Sequence, residues 1–83
     1  MNTNPIPLPD AIIGKEYIIS HINNNVLPAN TLKGYGIFRG SKIKLLFASP
    51  SGNPCAYEVM GAVLALRHED SRYIFISPAA LQS

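Results

Sequence analysis

The chain has 83 residues, a net charge of +2 and a single cysteine, Cys55, which limits it to one small domain with no internal disulfide and no multi-cysteine zinc site. Its basic residues are scattered, which argues against a nucleic-acid face, and its apolar runs are too short for a secretory signal or a membrane-spanning helix, so neither direct membrane insertion nor export is expected. Only 14% of residues are charged while 47% are hydrophobic, against about 25% charged in ordinary soluble domains, so some apolar side chains must stay outside, where contiguous patches mark partner surfaces.

From Met1 to Gly14 the alternating Pro5, Pro7 and Pro9 favour an extended, partly ordered tail, with Ala11-Ile12-Ile13 able to fold back on the domain. The expected domain runs from Lys15 to Pro78, with 79–83 as a second tail. Lys15 to Ile22 reads as the first strand. Tyr17 and Ile19 share one face, and Ile18, Ser20 and Ile22 the other, which suggests cover on both sides. Asn23-Asn24-Asn25 is a turn. Pro28 to Tyr35 then reads as a short helix with Leu32 and Tyr35 on one face and Gly36 as its left-handed stop. Gly34 weakens that helix by about 1 kcal/mol relative to alanine.

A Gly-bracketed turn, Gly36 to Gly40, leads into an alternating strand from Lys42 to Ala48, with Ile43, Leu45 and Phe47 on one face. A turn over Ser49 to Pro54 precedes a second alternating strand, Cys55 to Met60. Gly61 breaks it, and Ala62 to Leu66 resumes it. Lys44 and Glu58 suit cross-strand pairing. His68-Glu69-Asp70-Ser71 reads as a polar turn or a single 3-10 turn. Tyr73 to Ile76 is the last strand, with Ile74 and Ile76 on one face. Period-2 alternation broken by Gly and Pro is the pattern of short antiparallel strands wound into a small barrel or sandwich.

No nucleophile, base and orienting group fall at a recognisable spacing, so no enzymatic role and no cofactor are expected. Gly34, Gly36 and Gly40 lack the lysine-serine element of a phosphate loop. His68, Glu69 and Asp70, with His21, Glu58 and Cys55 elsewhere, are the candidate metal ligands. Against them, consecutive residues in a turn rarely converge on one ion, and the plainer expectation is a solvated turn with Glu69 or Asp70 capping backbone donors. Tyr17, Tyr35, Tyr57 and Tyr73 could form a proline-recognition groove, although tryptophan is absent and acids are few. Cys55 itself reads as a small buried hydrophobe. The patch favoured for a partner is Leu32, Tyr35, Ile37 and Phe38, because a short helix ending in an apolar turn presents a compact surface. The competing expectation is that these residues cap the core.

The order of features between Leu32 and Arg67 is itself informative. Leu32 precedes Gly36-Ile37. Gly40-Ser41-Lys42-Ile43 opens a strand, and Pro50 and Gly52-Asn53-Pro54 mark a hairpin. Tyr57-Glu58-Val59-Met60-Gly61 ends a strand at glycine, Ala65-Leu66-Arg67 closes the next, and Tyr73-Ile74-Phe75-Ile76 follows. In this order and spacing the chain resembles the ferrous-iron transport protein A family, FeoA, from about Lys15 to Ser77. It departs from the family at Arg39, where proline is usual before the strand-opening glycine, and at Gly34, where a larger residue is usual. The resemblance implies an SH3-like barrel, mainly β, of about five antiparallel strands with a short helix inserted after the first. It also implies a cytoplasmic, non-enzymatic accessory of the FeoB transporter, an integral membrane protein with a cytosolic GTPase region, held near the inner membrane through that partner. The same barrel forms the terminal domain of diphtheria-toxin-repressor-type metalloregulators. The readings left beside it are a direct metal-binding or metal-sensing module, a peptide-binding SH3-like adaptor, and weak homo-oligomerisation.

Overall fold

A computed structural model describes residues 5–23 and 29–79. The asparagine turn beyond Asn23, the Pro28 start of the helix, and residues 1–4 and 80–83 lie outside the described residues. Six strands form one antiparallel sheet: β1 (Ile6–Pro7), β2 (Glu16–Ile22), β3 (Lys42–Ala48), β4 (Cys55–Val59), β5 (Ala62–Leu66) and β6 (Ile74–Pro78). They run in the order β1-β6-β2-β3-β4-β5, an SH3-like arrangement that does not close fully, with β1 and β5 as its edges. A 3-10 turn, Leu8–Asp10, follows β1. Helix α1 (Ala29–Gly34) is inserted between β2 and β3, and α2 (His68–Ser71) between β5 and β6.

Mainly antiparallel β structure with one short helix after the first long strand is thus present. The sixth strand comes from the segment expected as a tail. Ile6 and Pro7 pair with Ile76 and Phe75, and Leu8 is fully buried in the core. The prolines extend the backbone, which is also what a short edge strand needs, and sealing one leucine contributes about 1.5–3 kcal/mol. The segment then stays tied down: the Ile12 N–H donates to the Tyr17 hydroxyl (3.0 Å) and the Gly14 N–H to the Leu45 carbonyl (2.8 Å).

The core gathers Tyr17 and Ile19 of β2, Ile43 and Leu45 of β3, Cys55, Tyr57 and Val59 of β4, Ile74 and Ile76 of β6, and Leu8, Leu32 and Ile37 from the connections. Two bulges correct the expected faces. In β3 the register slips between Leu45 and Phe47, so Leu46 is the extra residue and Phe47, expected beside Ile43 and Leu45, turns to solvent. In β2 the slip lies between Ile19 and His21, which brings Ile22 opposite Ile74 and against the core. Lys44 and Glu58 do stand opposite one another in the β3–β4 register.

Helix α2 replaces the polar turn, and its cap differs from expectation. Neither Glu69 nor Asp70 caps it; Asn53, in the β3–β4 connection, accepts the His68 N–H through Oδ1 at 3.0 Å. β4 is one residue shorter than expected. Met60 leaves the strand with φ 53°, Gly61 follows with φ 81°, and these two left-handed residues make the tight turn that joins β4 to β5.

Candidate partner-binding face

Helix α1 ends in a stop that fixes two side chains inward and one outward. Gly36, at φ +90°, lets its N–H donate to the Lys33 carbonyl (3.0 Å) and the Ile37 N–H to the Leu32 carbonyl (2.9 Å). This pair of bonds closes the helix, and it brings the residue after the glycine onto the one four residues before the glycine. Leu32 and Ile37 therefore meet each other in the core, at 8% and 1% exposure, while Tyr35 between them stays 56% exposed. Phe38 opens the next turn on the surface. Its N–H and carbonyl are both held by the Ser41 side chain, at 3.3 and 2.8 Å, and the Ser41 hydroxyl is buried in doing so.

Of the four residues expected to meet a partner, Tyr35 and Phe38 are available and Leu32 and Ile37 are not. The correction has a local cause: the apolar contact that accompanies the helix stop consumes both aliphatic residues. A polar replacement of Leu32 should therefore destabilise the core rather than act on a surface contact.

A third exposed side chain, not singled out from the sequence, joins the pair. Met60, at the β4–β5 turn, is 70% exposed and lies across Gly36, where an added Cβ would meet its Cγ at 2.6 Å. It separates two grooves. One, of about 530 Å³, is lined by Phe38, Lys42, Lys44, Glu16 and Glu58; the other, of about 510 Å³, by Lys33, Tyr35, Val59 and Ala62–Leu64. The sequence signal for Met60 was the glycine after it. Met-Gly between two alternating runs reads equally well as a strand interruption and as a two-residue turn, and only the turn puts the methionine at an apex.

The face is thus an apolar ridge of Tyr35, Met60 and Phe38, with Lys42, Lys44, Glu16 and Glu58 around Phe38 and Lys33 beside Tyr35. Lys44 stands opposite Glu16 on one side and Glu58 on the other in the strand registers, so the charges there offset one another. The candidate metal ligands do not converge, and among the described residues no three His, Cys, Asp or Glu side chains come together. His68 does approach Cys55, with Nε2 3.4 Å from Sγ, but Glu69 and Asp70, which follow it in the single turn of α2, are exposed. Nor do the four tyrosines make one groove, because Tyr17 and Tyr57 are sealed in the core. Among the described residues no helix is long and apolar enough to cross a membrane.

Comparison with known proteins sets these observations in a family. The FeoA domain is matched over residues 6–78, most of the chain. The chain belongs to the FeoA family. That family is tied to ferrous iron transport and is not a family of known enzymes. The span of the match includes β1 and the Leu8 turn, in agreement with their place in the sheet and core. Solved FeoA structures share the fold: the FeoA-like protein of Clostridium acetobutylicum at TM-score 0.83 and 23% identity, covering 100% of this chain and 95% of that one, and the FeoA protein of Chlorobium tepidum at 0.81 and 24%, covering 94% and 74%. A manganese-dependent transcriptional repressor matches at 0.80 and 14%, covering 95% of this chain but only 44% of its own, so the FeoA barrel there is part of a longer protein. No curated protein sequence matches the chain.

Proposed function

We propose that this FeoA-family chain is a cytoplasmic, non-enzymatic accessory of ferrous iron uptake that docks on the FeoB transporter, at its cytosolic side, and modulates it. The observation that carries the reading is the ridge of Tyr35, Met60 and Phe38. A domain with so few charges leaves three large apolar side chains together between two grooves, and it holds two of them by specific backbone devices: the left-handed turn under Met60 and the Ser41 clamp on Phe38. A methionine apex suits such a surface because its unbranched, polarizable side chain adapts to an apolar partner.

The test is capture of detergent-solubilised FeoB by the purified chain, compared with Met60→Asp and Tyr35→Ala. Each variant should keep the native circular-dichroism spectrum and weaken capture at least tenfold, roughly what losing a central interface anchor costs. Undiminished capture by both variants would refute this face as the docking site.

A further inference from the structure

The two edges of the sheet are not alike. β1 is two residues long and contains Pro7, features that blunt an edge against pairing. β5 is five residues, Ala-Val-Leu-Ala-Leu, with no charge, proline or bulge. It pairs with β4 on one side only, and among the described residues no other backbone group bonds to it. Leu64 and Leu66 stand on its core-facing side, packed against the core yet only half-buried, while Val63 and Ala65 are exposed on the outer side. An edge of this composition is a template for another strand.

We propose that two copies of this chain pair antiparallel through their β5 edges. The choice of a second copy rests on self-complementarity. A two-fold axis through Leu64 sets Leu64 against its mate, Val63 against Ala65, and Ala62 against Leu66. One step further, Arg67 falls opposite Gly61, so no like charges meet across the axis. The half-covered Leu64 and Leu66 gain cover from their counterparts, and the free backbone donors and acceptors of both edges are satisfied together. A contact of one short strand pair is small, so the dimer is weak and concentration-dependent. It shares Ala62–Leu64 with the groove beside Tyr35, but its test reads self-association without the transporter, so the two proposals succeed or fail separately.

The experiment is sedimentation equilibrium of the full chain from micromolar to millimolar concentration, with amide hydrogen exchange on the same samples. The wild-type chain should shift toward dimer as concentration rises, with added protection confined to Ala62–Leu66. Val63→Lys combined with Ala65→Lys places lysine opposite lysine across the axis and should raise the dissociation constant at least tenfold. Val63→Lys combined with Ala65→Glu places lysine opposite glutamate and should restore the dimer. A wild-type chain that stays monomeric, or exchange at β5 that ignores concentration, would overturn the proposal without recourse to any variant. So would a lysine–glutamate variant no better than the double-lysine one.

Discussion

Tyr57 shows how a single side chain can set the pH limit of this domain. It is fully buried in β4, and its hydroxyl and that of Ser71 are neighbours that form no well-aligned hydrogen bond with each other or with any other described residue. Burial, with Cys55 close by, pushes its phenol from 10.0 up to about 12. The unfolded chain releases this proton near 10 and the folded chain holds it until about 12. The Tyr57 contribution to stability is therefore constant below pH 10 and falls by up to roughly 3 kcal/mol between pH 10 and 12. Tyr57→Phe removes a buried oxygen that has only poorly aligned contacts with Ser71 and Cys55, so it should leave neutral-pH stability equal or raise it by about 1 kcal/mol. It should also flatten the alkaline decline relative to wild type, as followed by chemical denaturation at a series of pH values. A wild-type and variant pair declining in parallel would show that Tyr57 is not sealed. That Tyr57 belongs inside could be read from the alternation of Cys55, Tyr57 and Val59; that its hydroxyl lacks a well-aligned partner could not, because Ser71 lies on a different element.

At the level of elements, the strands were legible where alternation is strict and illegible where a bulge resets it. Ile43 and Leu45 face the core as their spacing predicts. Phe47 does not, because one unpaired residue inverts every face beyond it, and nothing in Lys42 to Ala48 distinguishes a regular ladder from a bulged one. The helix stop was legible from Gly36, but its consequence for Leu32 and Ile37 was not, since the contact depends on the closing hydrogen bonds. The same glycine now supports a second role. Its left-handed backbone ends α1, and its lack of a side chain makes room for Met60 from a different hairpin. Gly36→Ala is strained at φ +90° and also displaces Met60, so it should cost more than the roughly 1 kcal/mol of an ordinary left-handed alanine. Denaturant unfolding measures that cost. Because the displaced side chain belongs to the proposed docking ridge, FeoB capture should fall further than the loss of folded protein explains. A variant as stable as wild type would mean that the hairpin moves away freely.

On the scale of the whole molecule, the question is where the cooperative unit begins. Composition divides the chain at Lys15, because prolines without periodicity read as a tail; the packing divides it no later than Ile6. Leu8 is as buried as any residue in the core, β1 covers the free side of β6, and the Ile12 and Gly14 N–H groups bond to Tyr17 and Leu45. In a domain of this size the folded state holds only a small surplus over the unfolded chain. Leu8→Ala alone should cost about 2–5 kcal/mol, by lost transfer energy and the cavity left behind. Removing residues 1–14 takes away Leu8, the β1 pairing and both tethers at once, and it exposes Ile74 and Ile76 along one edge. That chain should give a collapsed, poorly dispersed amide spectrum with no cooperative melt, whereas Leu8→Ala should still fold and melt at a lower temperature. A truncated chain that melts cooperatively near the wild-type temperature would restore the boundary at Lys15, and the N-terminal strand would then be an ornament on a barrel complete without it.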